Sequence, residues 1–377
     1  MVRESNEPRV LIFSQRNLIR KNPFRCAHFE FEDTISQIDA VELLAPPIDP
    51  FSSRQKFAKQ IAYHTPIALN PGIKTGPLKR HYDLFLSVCG DPTDLLRINA
   101  IPGWRENCKT AVCLIDEVWV RQMSAYRNFL DMLKKFDFVI LYYSQSVKHL
   151  NERIGSKCVF MPPGVDAIRF CPYPDPPHRV VDIYSIGRRS EKTHRKLLKM
   201  AAENGIFYLH DSVAADQVLS AAEHRALFAN VAKRSRYFIV NPGLIDRPDI
   251  RGGQIEIGSR YFEATASGTI MVGERPNNGE FEKLFDWPDA LIDLPYDSSE
   301  IDQAIHQFEK EPEREEKSRR TSVSQSLLRH DWAYRWETIL KLAGLEPAPE
   351  LLQRKDHLRN LAQAALQDKL PATLGTS

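Results

Sequence analysis

Short apolar runs alternate with longer amphipathic segments through most of this chain, and no other feature narrows its possible folds as far. RVLIF (9–13), DLFLSV (83–88), TAVCLI (110–115), FDFVILYY (136–143) and CVFMPP (158–163) are strand-length runs rich in β-branched and aromatic residues. Between them lie stretches long enough for helices, such as 123–136 and 146–154. The pattern repeats after residue 180, where VDIYSIG, IFYLH, RYFIVNP and TIMVG alternate with THRKLLKMAAENG and AAEHRALFANVAKRS. Many of these strands are apolar throughout rather than at every second position. Such a strand has to be covered on both faces, which predicts an α/β architecture of parallel sheets between helical layers.

The two halves meet at FCPYPDPPHR (170–179), where four prolines in six positions from Pro172 exclude helix and favour an extended linker. At 377 residues the chain is too long for one ordinary core, given about 150 residues per domain. The predicted layout is a Rossmann-like domain over 1–171, a Pro-rich hinge over 172–179, a second Rossmann-like domain over 180–344 and a helical extension over 345–377. Two such sheets facing each other leave a cleft at the carboxyl ends of their strands, where ligands of this architecture bind.

Composition mainly excludes. A formal net charge of +2 demands no polyanionic partner, and nucleic acid is not expected without a broad basic surface bearing stacking aromatics. The N-terminus lacks a signal-peptide pattern and no window of about 18 apolar residues occurs, so a cytoplasmic, non-spanning protein is expected. The six cysteines show no C-x-x-C pair or metal-like spacing and are expected to be reduced and mostly buried.

Two common phosphate-binding devices, G-x-x-x-x-G-K-[ST] and G-x-G-x-x-G, are missing, and so is an Asp-x-Asp pair for a divalent ion. A nucleotide bound here is therefore expected to need no metal, with cationic side chains and helix N-termini neutralising it. DIYSIGRRSEKTHRKLL (182–198) offers such groups, because Gly187 permits close backbone approach and Arg188, Arg189 and Lys192 follow before a helix. The same stretch also fits a solvated turn. In the first half, AVCLIDEVW (111–119) ends a strand with Asp116 and Glu117. A carboxylate there either orients an acceptor hydroxyl and takes its proton, or caps the next turn. His28, His64 and His81 have no partner identifiable from the sequence and are expected to be surface or internally satisfied histidines. Between residues 51 and 82 there are six Lys or Arg and no acidic residue. That segment is either a solvated face or a contact surface for anionic lipid at a membrane, a phosphorylated acceptor or another protein.

SQSVKHLNERIGSKCVFMPPGVDAIRFCP (144–172), IGRRSEK (186–192), RYFEATASGTIMVGE (260–274) and HDWAYRWETIL (330–340) occur in that order. Together they resemble GT-B-fold glycosyltransferases of the glycosyl transferases group 1 superfamily, and among them the spore-maturation-type subgroup. The resemblance covers roughly residues 135–342. It implies a hexosyltransferase-like, retaining enzyme that takes a nucleotide diphosphate sugar as co-substrate, with no metal and no cofactor. It also implies that Gly187, Arg188 and Lys192 meet the donor diphosphate, that the helix start at Gly258, Ser259, Arg260 and Tyr261 turns backbone N–H groups toward an anion, and that Glu263 accepts hydrogen bonds from ribose hydroxyls. Arg260, three residues before Glu263, joins this clamp or pairs with the carboxylate. Glu256 and Glu263 stand one residue closer together than the paired glutamates of many retaining members. Glu256 thus either reaches the donor sugar or is a surface carboxylate. The alternatives are another GT-B reaction, epimerisation or phosphorolysis, and a catalytically inactive nucleotide-binding or scaffold protein.

Overall fold

The computed structural model describes residues 7–18, 23–47, 53–211 and 218–367. Its first sheet has six parallel strands: β1 (Val10–Phe13), β2 (Val41–Leu44), β3 (Tyr82–Cys89), β4 (Cys108–Ile115), β5 (Phe138–Leu141) and β6 (Cys158–Phe160), in the order β2-β1-β3-β4-β5-β6. The second has five, also parallel: β7 (Val181–Ser185), β8 (Tyr208–His210), β9 (Ser235–Val240), β10 (Ile270–Gly273) and β11 (Leu291–Asp293), in the order β8-β7-β9-β10-β11. Each sheet grows first to one side of its opening strand and then to the other. The resulting switch points, β1/β3 and β7/β9, are where a crevice opens at the strands' carboxyl ends.

The unbroken apolar runs have the predicted cause. Val10 and Ile12 belong to one buried cluster and Leu11 and Phe13 to another, so successive residues of β1 feed cores on opposite faces of the sheet. In β9, Phe238 and Val240 likewise point away from Tyr237. Residues 172–179 carry neither helix nor strand. All six cysteines are buried and none is in a disulfide. Among the described residues no helix is long and apolar enough to cross a membrane.

The helix Trp332–Ala343 returns to the first domain and lies on its helix Cys26–Ile38, whereas Pro349–Gln367 packs mainly on the helix Pro312–Arg329 of the second domain and also touches Cys26–Ile38. The Trp336 indole donates to Asp39 at 2.9 Å, and the Trp332 indole donates to Glu30 at 3.0 Å. The PPGVD turn is the receiving surface. Val165 and Asp331 form a parallel bridge, Ala167 N–H donates to Asp331 at 2.9 Å, and Arg335 donates to the carbonyls of Pro162 and Pro163. Arg354 then joins Asp166 and Asp331, each at 2.8 Å. Gly164 leaves no room for a side chain, since a Cβ there would lie 2.5 Å from the Trp332 ring. Gly164→Ala is therefore expected to cost about 1–3 kcal/mol by overpacking, seen as a lower urea midpoint at unchanged m-value.

Candidate functional site

The donor-side candidates gather at the carboxyl ends of β7 and β9. Gly187 takes φ +89°, a left-handed turn that favours glycine, and its N–H donates to Asp211 at 3.1 Å. Arg188 is half-exposed and pairs with Asp246 at 3.0 Å, while Arg189 turns back to Asp211 at 2.8 Å. Lys192 is exposed in the first turn of the helix Glu191–Asn204, whose start is capped by Ser190. Gly258 precedes the helix Ser259–Ser267 beside the Asn241 carbonyl at the end of β9. No side chain caps that helix, so Ser259 and Arg260 open it with backbone N–H groups toward the crevice end of the sheet. Tyr261 is wholly buried, its hydroxyl donating to the Glu274 carbonyl at 2.5 Å.

Glu263 lies deeper. It is 1% exposed, one carboxylate oxygen bound by Arg225 and the other by Arg260 at 2.6 Å. Burial alone would raise its carboxyl, but Arg260 and Arg225 outweigh that and hold it below the usual range. Arg225, from the helix Ala221–Lys233, also grips Glu30 of the first domain through two bonds of 2.8 and 3.0 Å. A chain of four charges, Glu30, Arg225, Glu263 and Arg260, thus runs between the domains. Arg260 is its most exposed member, with its guanidinium over the Phe228 ring. A ribose contact by Glu263 requires Arg260 to give way.

Glu256 is not a surface carboxylate, being 1% exposed. Its oxygens accept from the N–H groups of Ser144 and Gln145, both at 3.1 Å, and from the Gln254 amide at 2.8 Å. The first two sit at the start of the helix Ser146–Ile154 of the other domain, so Glu256 caps a helix across the domain boundary. Gln254 adds a bond to the Val120 N–H at 2.9 Å.

In the first domain, Asp116 and Glu117 extend past β4, their N–H groups donating to the carbonyls of Cys89 and Gly90. Asp116 is held by His28 Nε2 at 2.8 Å. His28 is itself 3% exposed, which makes it a support for Asp116 rather than a freely accessible base. Arg25 is buried against the backbone of Gly90 and pairs with Asp91 at 2.9 Å and with Asp94. Burial opposes ionisation of Asp94, yet Arg25 and Arg97 pull its carboxyl down to about 2. Glu117 makes no ion pair among the described residues, although Arg25 and the Trp119 indole favour its charged form. Burial, with Asp116 adding to it, pushes its carboxyl up to about 7. It lines a cavity of about 230 Å³ with Lys59, Asp91, Thr93, Trp119, Gln122 and Tyr126. The buried Trp119 indole N–H lies near Glu117 without an aligned hydrogen-bond partner. Among the described residues no three His, Cys, Asp or Glu are grouped as metal ligands.

The two halves meet at Tyr143. A Cβ on Gly243, in the loop after β9, would lie 3.4 Å from its hydroxyl and 3.7 Å from Trp119. Burial raises the Tyr143 hydroxyl well above its ordinary range, Glu117, Asp116 and Glu256 reinforce that, and Arg188 opposes it. Tyr143 is thus a buried phenol held between the end of the first sheet and the loop after β9.

Residues 210–341 match a family model described as glycosyl transferase-like. Among solved structures, the chain is similar to an α-glucosyltransferase in complex with UDP and a 13-mer DNA containing a HMU base, at 10% identity over 90% of this chain and 100% of that one, with a TM-score of 0.52. It is also similar to Anabaena HepE in complex with UDP and glucose, at 11% identity over 89% of this chain and 99% of that one, with a TM-score of 0.54. The chain has the GT-B fold. No curated protein sequence matches it. One of these GT-B structures holds DNA, so the fold does not carry the exclusion of nucleic acid that composition suggested.

Several residues of this GT-B cleft have no sequence signal. His28 and Asp116 lie 88 positions apart, and Glu30 and Arg225 lie 195 apart. Only the sheet order makes them neighbours. The capping role of Glu256 has a consequence for stability. Burial pushes its carboxyl up to about 7, against the hydrogen bonds of Gln254, Gln145 and Ser144. A raised folded value means a contribution that is complete below the unfolded value near 4.5 and is lost as pH rises through about 7. Between pH 5 and 8 the parent is expected to lose up to about 3 kcal/mol relative to Glu256→Gln, measured as diverging urea midpoints.

Proposed function

We propose that this GT-B chain transfers a sugar from a nucleotide diphosphate sugar to an acceptor presented by the first domain. UDP-sugars are the first donors to test, since the similar structures hold UDP. The observation that carries this reading is that Gly187, Arg188, Lys192 and the uncapped start of the helix Ser259–Ser267 gather at the carboxyl ends of β7 and β9, while Asp116 and Glu117 extend past the carboxyl end of β4.

Negative charge grows on the diphosphate as the glycosidic bond breaks, and fixed donors there stabilise the transition state most. Arg188, Lys192 and the uncapped helix start at Gly258–Tyr261 supply them, with Gly187 allowing close approach. These cations take the place of a metal in the proposal. Arg260 turns from Glu263 toward the phosphates on donor binding, which frees one carboxylate oxygen for the ribose. Asp116, steadied by His28, orients the acceptor hydroxyl over the cavity. Glu117, titrating near neutrality, donates or accepts within it. Glu256 closes the cleft by holding the two domains together. The proposed course is retention, as the donor-domain motifs imply.

A second reading, a nucleotide-binding protein without turnover, draws on the full engagement of Glu256 and Glu263. Donor consumption separates the two. Thermal denaturation with UDP, GDP and ADP and their sugars should show a raised midpoint for the cognate nucleotide, and the same set assayed for turnover should show sugar transfer. Arg188→Ala and Lys192→Ala should each weaken the nucleoside diphosphate by about tenfold, or about 1.5 kcal/mol, and the nucleoside much less, by titration calorimetry. A chelator should leave that affinity unchanged. Asp116→Asn should lower kcat by about 10²–10⁴ with donor affinity intact, by steady-state kinetics and calorimetry on the same preparation.

A further inference from the structure

The surface built by residues 53–81 has no part in donor binding. The helix Ser53–His64 buries only Ala58 and Ala62, which pack with Leu96 and Phe129. Its outer side presents Arg54, Lys56, Phe57 and Gln60, and the following loop exposes Lys74, Lys79 and Arg80. Large apolar side chains stand among these cations, with Phe57 62% exposed, Ile67 54% and Leu69 38%. Among the described residues only Arg80 of these cations lies near carboxylates, Glu7 and Glu42, both at 3.9 Å.

A solvated face usually intersperses charges of both signs and keeps large apolar groups covered. The helix Ser53–His64 does neither, since its exposed Arg54 and Lys56 have no ion pair among the described residues and Phe57 stands bare beside them. Unpaired cations alone would suit any polyanion, but apolar tips set among them add a different requirement. They match a lipid interface, where the tips enter the headgroup boundary while Lys and Arg lie against phosphates. The helix also leads into the cavity beside Glu117, because Lys59 lines it.

We propose that this face docks on an anionic lipid surface, and, resting on the transferase reading above, that the cavity takes its acceptor from a headgroup at that surface. The test is co-sedimentation of the full chain with phosphatidylcholine vesicles, with and without phosphatidylglycerol, over a range of salt. Binding should need the anionic lipid and weaken as salt rises. Arg54→Gln, Lys56→Gln and Lys79→Gln should each lower it about fivefold. Phe57→Ser should lower it further at every salt concentration. These side chains are exposed, and matched thermal midpoints will show that the variants fold. Absence of vesicle binding, equal binding to neutral vesicles, or a triple cation variant that binds like the parent overturns the proposal. Tighter binding to a DNA duplex than to anionic vesicles at the same salt also overturns it and assigns the face to nucleic acid. Vesicle binding is measured without donor and the nucleotide-induced thermal shift without vesicles, so each reading fails independently of the other.

Discussion

The buried ion pair between Glu30 and Arg225 decides how the two domains of this protein meet. Neither side chain has appreciable exposure, and each comes from a helix of a different domain. Buried charges taken from water are tolerable only when paired and hydrogen-bonded, and removing one partner of such a pair costs about 3–5 kcal/mol. Glu30 is served by the Arg225 guanidinium, the Trp332 indole and the Asp166 N–H together. Arg225 turns its third nitrogen to Glu263, in the middle of the helix Ser259–Ser267. The meeting of the domains and the anchoring of that helix thereby share one network.

The remaining contacts between the domains accompany that network. With Glu30 and Arg225 engaged, Glu256 reaches the start of the helix Ser146–Ile154, and Gly243 comes against Tyr143 and Trp119. The C-terminal helices lock the arrangement from behind through Asp331, Arg335 and Arg354.

Individual elements show how far the sequence could be followed. The apolar runs of β1, β4 and β9 announced strands covered on both faces, and the prolines from Pro172 announced the break between halves. The Gly187–Lys192 segment was legible as a turn, because a glycine at a strand end permits the left-handed φ found there. Glu263 was legible as a special carboxylate, but its two arginine partners were not both visible. Arg260 lies three residues away on the same helix, whereas Arg225 lies 38 residues earlier and reaches it only through tertiary packing. Glu256 misled for the same reason. Its main-chain partners, Ser144 and Gln145, belong to another domain and leave no mark on the residues around it.

From the sequence alone came the α/β class, two parallel sheets and the irregular proline-rich link between them. These are local properties, written in side-chain periodicity and in the backbone freedom of glycine and proline. The tertiary structure alone decided which charges neutralise one another, that His28 steadies Asp116, that the last helices bridge the two domains, and that a cavity beside Glu117 opens next to a basic helix. Each of these depends on which residues are brought within a few ångströms, and electrostatic and hydrogen-bond energies fall away too steeply with distance for spacing along the chain to reveal them.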